Sequence, residues 1–188
     1  MSPGSDRGAK VAWELGSFLF LLTLQRMGEL RLSARNESRM RALGGREVES
    51  GQFPWLVLLH VLFPLSLAAE VMFAGSRPGR FWPVWLGVVL AAQALRLATM
   101  RTLGVRWSVH IWVVPDLPLV TGGPYRLFRH PNYLAVAAEL PAAALLFGAW
   151  RTAAIFTVFN LAALRARIRA EERALGIGPG QSGLQMES

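Results

Sequence analysis

The residues best placed to do chemistry lie in GGPYRLFRHPNYL, from Gly122 to Leu134. Two glycines and a proline permit a tight turn. Pro131 removes a backbone donor and biases His130 away from helical dihedrals. The pattern therefore presents Arg129 and His130 at a chain reversal, just before an apolar run begins. An arginine, a histidine and two tyrosines at such a boundary suit a charged ligand with an aromatic part. An interfacial loop anchored only by Tyr and Arg would use the same residue types.

A second group lies in LRARIRAEERAL, Leu164 to Leu175. Arg167 and Glu171 stand at i,i+4, and Arg169 and Glu172 at i,i+3. The arginine precedes the glutamate, the weaker order for an exposed helix. Solubility alone does not account for that order, although a solvated end to a last helix would contain several of these charges. Glu70 and Glu139 sit inside apolar runs, where carboxylates are usually functional. His60 lies mid-run and could bond a neighbouring helix instead. Histidines at positions 60, 110 and 130 give no metal-ligand spacing, and there is no cysteine, so no metal is expected.

The elements that must position these residues are apolar. The chain has 188 residues, 53% hydrophobic and 17% charged, with a formal charge of +8. A soluble core of this size cannot hide that much apolar surface, so the excess faces lipid. The arginines fall in clusters between apolar runs, which suits basic loops at a membrane surface and not a nucleic-acid groove. The runs predict an all-α polytopic integral membrane protein of about five transmembrane helices. The spans expected are about 10–30, 53–74, 81–100, 134–150 and 152–164. A basic surface helix follows the first and ends at Gly44-Gly45; the last continues as a charged helix to Leu175. Trp107 and Trp112 are expected as interfacial anchors, and Gln93 and Arg96 as snorkelling side chains. One domain covers 1–175, with the chemistry in about 101–175, and 176–188 is expected to be disordered. Arginine asymmetry puts the N-terminus outside and all the polar segments on the cytoplasmic face, bacterial inner membrane being the expected location.

The spacing GPYR-x-x-RHP-x-Y, an early Glu in the next run, and then R-I-x-x-EE-x-x-L resembles the isoprenylcysteine carboxyl methyltransferase family. The matching residues are Gly123, Pro124, Tyr125, Arg126, Arg129, His130, Pro131, Tyr133 and Glu139, then Arg167, Ile168, Glu171, Glu172 and Leu175. The resemblance implies a helical membrane fold that binds S-adenosylmethionine at the cytosolic face. No G-x-G-x-x-G follows a strand, so no Rossmann domain is expected. It further implies that Gly123, Pro124, Tyr125, Arg129, His130, Pro131, Tyr133, Glu139, Glu171 and Glu172 hold the cofactor. His130, Arg167 and Glu171 are then the catalytic candidates. The N-terminal half, QRMGELRLSARN and GGREVESGQFPWLVLLHVLFPLSLAAE, is similar to bacterial members linked to type III polyketide synthases, which implies O-methylation of an alkylpyrone or phenolic lipid. Gln52-Phe53-Pro54 departs from the His-Tyr-Pro expected there.

A prenylcysteine carboxylate is ionised at pH 7 and needs only an orienting cation such as Arg167. A phenol, with a pKa of about 10, needs a base or a positive field to ionise it, and His130 and His110 are the available candidates. The partners expected are thus a lipophilic acceptor and membrane lipid, with no nucleic acid. A phospholipid N-methyltransferase, and a non-catalytic scaffold or transporter subunit, are the rival readings; the last should show inverted repeats, and none is visible.

Overall fold

The computed structural model describes residues 3–48, 51, 53–115 and 117–176, with the side chains of 3–7 excepted. The expected disordered tail from 177 onward, and Gln52, lie outside the described residues. Five helices carry the chain: α1 Pro3–Ala42, α2 Phe53–Phe73, α3 Trp82–Leu103, α4 Pro131–Leu146 and α5 Trp150–Ala174. The strands β1 Arg46–Val48 and β2 Ile111–Val113 pair antiparallel, Glu47 opposite Trp112.

α4 is the central helix, packed on both α3 and α5, while α2 also packs on α5. Ala135, Ala142, Ala143 and Ala144 of α4 are all buried. Small side chains let backbones approach closely, which is how helices associate where lipid supplies no hydrophobic drive. The outward faces stay apolar: Phe20 and Leu24 of α1, Trp55 and Leu65 of α2, Leu90 of α3, and Val158 and Phe159 of α5 are exposed. So much uncovered hydrocarbon is what a bilayer covers. By length and composition α2 and α3 can each cross one.

Three expectations change. The first span and the basic surface helix are one helix of 40 residues, ending at Ala42 just before Gly44, which takes φ +78°, because no breaker separates Leu30 from Arg31. The fourth helix begins at Pro131 instead of Leu134, since proline fits the first helical turn, where its missing N–H has no partner to lose. The two short strands come with no alternating pattern to announce them.

Glu70 has a definite structural job. The N-terminus of α5 has no side-chain cap of its own. Glu70, reaching from α2, accepts Arg151 N–H at 3.2 Å and both Thr152 N–H and Oγ1–H at 2.7 Å. A carboxylate there satisfies orphan donors and meets the positive end of the helix. Close by, Gly148 turns the chain with φ +73°, where a Cβ would collide with the Arg77 carbonyl. The α2–α3 and α4–α5 turns thus lie together at one end of the bundle. Replacing Glu70→Ala should cost about 1–2 kcal/mol, the usual range for a lost cap, and lower the thermal midpoint in detergent. Activity per folded molecule should not change.

Candidate functional site

The opposite end gathers the polar segments. After α3, the chain forms a turn at Gly104–Arg106, then β2, then a short 3-10 helix Gly123–Arg126 that packs on α3. Gly123 takes φ +55° against Thr102, and an added Cβ would overlap Thr102 Oγ1. Glycine is required here by backbone and space together. His130 sits in the N-cap position of α4 with φ −132° and ψ 65°, and Pro131 follows, buried, at the first turn.

From this turn, Arg129, His130 and Tyr133 meet α5. His130 Nε2 lies 3.1 Å from Glu172 Oε1, and Arg129 Nη2 lies 3.5 Å from the same oxygen. The Tyr133 hydroxyl donates to Glu171 and accepts from Arg167 Nε at 3.1 Å. The His130 and Tyr133 rings stack at 5.6 Å between centroids, and the Arg167 guanidinium lies 5.9 Å from the Tyr133 ring centroid. Arg167 is 6% exposed; its Nη2 donates to Val109 O at 2.5 Å, and its Nη1 is buried without a partner. Burial raises the Tyr125 phenol above its ordinary range, and the nearby charge of Glu171 raises it further. The i,i+4 and i,i+3 pairs expected within α5 are replaced by bonds across to the turn.

A third layer holds Arg167 from behind. Val109, whose carbonyl accepts from Arg167, donates its N–H to Ser33 Oγ at 2.9 Å. Ser33, Ser108 and His110 all bond Glu37 Oε1, at 2.6, 2.6 and 2.9 Å. Asn36 donates to the carbonyls of Gly104 and Trp107. The C-terminal part of α1 therefore fixes the loop that fixes Arg167. His110, a candidate base, is committed to Glu37 and packs against the Phe53 ring, tilted by 41° with centroids 4.3 Å apart. Trp107 is not an interfacial anchor: it is 3% exposed. Burial works against ionisation of Glu37, but the bonds from Ser108, Ser33 and His110 outweigh it and hold its carboxyl below the ordinary range. With the folded value depressed, its contribution is complete above the ordinary value of 4.5 and fades as pH falls through the lower folded value. Protection factors of the Val109 and His110 amides should fall over that acid range in the wild type. In Glu37→Gln they should start low and show no such step.

Glu139 belongs to a different group, a turn and a half further along α4. It accepts from Arg26 Nη2 at 3.0 and 3.1 Å, from Arg96 Nη2, and from Gln93 at 3.2 Å. Glu29 accepts from Arg26 at 2.7 Å, Gln25 at 2.8 Å and Arg96 at 3.4 Å. Arg96, expected to snorkel, is instead 3% exposed inside this cluster. Sequence reading missed Arg26, Glu29 and Arg96 as a unit; their positions inside or beside apolar runs were the available signal. Among the described residues no group of acidic or histidine side chains is arranged to hold a metal.

The donor set at the turn fits S-adenosylmethionine. Glu171 and Glu172 can accept from an ammonium and ribose hydroxyls, Arg129 and His130 can meet a carboxylate, and the orphan Arg167 Nη1 is a buried donor in search of an acceptor. The model of the isoprenylcysteine carboxyl methyltransferase (ICMT) family matches residues 85–177, the span that contains the turn and α5. The "Uncharacterized protein YpbQ" of Bacillus subtilis (strain 168) is 37% identical over 155 residues, 82% of this chain and 92% of its own. An "Uncharacterized protein" of Haemophilus influenzae is 26% identical over 151 residues, 80% and 88% of the two chains. No solved structure matches.

Proposed function

The chain belongs to the isoprenylcysteine carboxyl methyltransferase family, and from that premise we propose an S-adenosylmethionine-dependent O-methyltransferase of lipophilic small molecules. One observation carries the reading. His130 and Tyr133 meet Glu171, Glu172 and Arg167 across 34 to 42 residues of chain, and they do so where the apolar helices end.

In this reading all five helices cross or enter the membrane, the N-terminus is outside and the site faces the cytoplasm. Bound S-adenosylmethionine supplies a methyl group on cationic sulfur. Glu171 and Glu172 hold its polar groups from α5, and Arg129, His130 and Tyr133 hold it from the turn. Gly123, Pro124 and Tyr125 shape the wall on the α3 side, and Pro131 sets the direction in which α4 leaves. Arg167 orients the acceptor oxygen through the free Nη1. Arg167 is buried, and exclusion of water around it strengthens its contacts. The acceptor is an alkylpyrone or phenolic lipid, or a prenylcysteine carboxylate, entering from the bilayer.

Calorimetry of S-adenosylmethionine on the purified full-length protein tests the reading. Saturable one-to-one binding is expected, weakened at least tenfold by Glu172→Ala. Absence of binding by the wild type would remove the enzyme and leave a helical membrane scaffold.

A further inference from the structure

The end of the bundle that holds the α2–α3 and α4–α5 turns also contains a cleft. Along α1, Val11, Glu14 and Phe18 are spaced i, i+3 and i+7 and so share one face. Between that face, Leu86 of α3, and Leu146 and Phe147 at the end of α4 lies an opening of about 880 Å³. Phe18 closes its floor against Phe147, ring centroids 5.4 Å apart. The exposed Lys10, Glu14 and Arg77 form its rim. Leu146 is 13 residues beyond Tyr133 on α4, about 20 Å along the helix, so the cleft is separate from the residues assigned to the cofactor.

Apolar walls under a charged rim call for an amphipathic occupant. The helices on either side expose Trp13 and Phe20 of α1, and Val84 and Leu90 of α3, so a hydrocarbon chain can enter from the bilayer. Left empty, walls of this kind forfeit the dispersion contacts a chain would make. At the rim, Arg77 is preset. Its backbone is pinned against Gly148, and its Nη1 donates to Ser76 O at 2.9 Å and Val71 O at 3.4 Å. Its Nε and Nη2 have no protein partner among the described residues. Lys10 Nζ lies 3.9 Å from Glu14, and both side chains are exposed, a pairing that holds neither firmly. Two cations and one carboxylate leave the rim with positive charge in excess.

We propose that this cleft binds one anionic phospholipid, a phosphatidylglycerol. An acyl chain lies between Phe18 and Leu86, the phosphodiester accepts from Arg77 and Lys10, and a hydroxyl of the glycerol head donates to Glu14. The single negative charge of the phosphodiester balances the excess at the rim. A choline head offers Glu14 no hydrogen and sets a second cation beside Lys10. An ethanolamine head satisfies Glu14 but leaves the excess charge unbalanced. The lipid joins the N-terminal part of α1 to α3 and α4. It is not a methyl acceptor, and the assignment stands without the methyltransferase reading.

Native mass spectrometry of the delipidated full-length protein, released from detergent micelles, tests this with three lipids of identical acyl chains: phosphatidylglycerol, phosphatidylethanolamine and phosphatidylcholine. The wild type should bind a first phosphatidylglycerol about tenfold tighter than either other lipid, the scale set by basic side chains at a lipid head. Lys10→Gln combined with Arg77→Gln should abolish that preference. Arg35→Gln combined with Arg39→Gln removes the same charge from an exposed part of α1 far from the cleft and should leave the preference intact. Val11→Trp fills the cleft without altering charge and should weaken the first binding of all three lipids. Equal affinity of the wild type for the three lipids overturns the proposal. So does an equal loss of preference in the two charge-removing pairs, or wild-type binding by Val11→Trp.

Discussion

His130→Ala and Glu171→Gln are each expected to lower methyl transfer by about 10²–10³-fold, the usual loss when one preorganised polar contact is removed. Circular dichroism and monodispersity in detergent should stay at wild-type values. Both residues lie at the rim of the bundle, half-buried, and neither belongs to the apolar core. His130→Ala removes the ring that bonds Glu172 and stacks on Tyr133. Glu171→Gln keeps the shape and an acceptor for the Tyr133 hydroxyl but removes the negative charge. The two variants should also differ in degree. Calorimetry should show both weakening cofactor binding, His130→Ala the less, because Glu172 stays paired with Arg129. Wild-type turnover in either one refutes its assigned role.

The largest effect on stability is expected from Glu139→Leu. It leaves Arg96 buried with only the 3.4 Å contact to Glu29, and leaves Arg26 with one partner instead of two. Removing one partner of a buried ion pair costs about 3–5 kcal/mol, because the other charge is stranded. The unfolding midpoint in denaturant should fall accordingly. Adding Arg96→Met to Glu139→Leu should recover part of the loss, since the stranded charge is then gone as well. A Glu139→Leu single variant as stable as the wild type would show that the four charges do not act as a paired unit. The Glu70→Ala loss should be smaller, because the cap bonds two backbone donors and a hydroxyl but strands no charge.

The family model covers only the chain from residue 85 onward, yet two of the three polar groups depend on what precedes it. Ser33, Asn36 and Glu37 anchor the loop behind Arg167, and Gln25, Arg26 and Glu29 complete the buried cluster. The C-terminal half therefore carries the turn and α5, while α1 completes their surroundings.

The sequence by itself determined the helical membrane character and the two motifs. Apolar runs between arginine clusters are a local, one-dimensional signal, and so are Gly123, His130-Pro131 and the Arg-Glu repeat of α5, because turn and helix preferences act over a few residues. It also showed Glu70 and Glu139 as carboxylates in the wrong surroundings. Only the tertiary structure separated them, Glu70 onto the N-terminus of α5 and Glu139 between two arginines. The same holds for Arg96, which has a stem long enough to snorkel but turns inward, because Glu139 and Glu29 offer a better partner than the membrane surface does. Partners for buried charges come from other helices, tens of residues distant, and no short-range pattern encodes which helix face will be opposite. The strands β1 and β2 were hidden for that reason too: three residues each, 63 or more apart, they exist only because α1 and the loop after α3 end side by side.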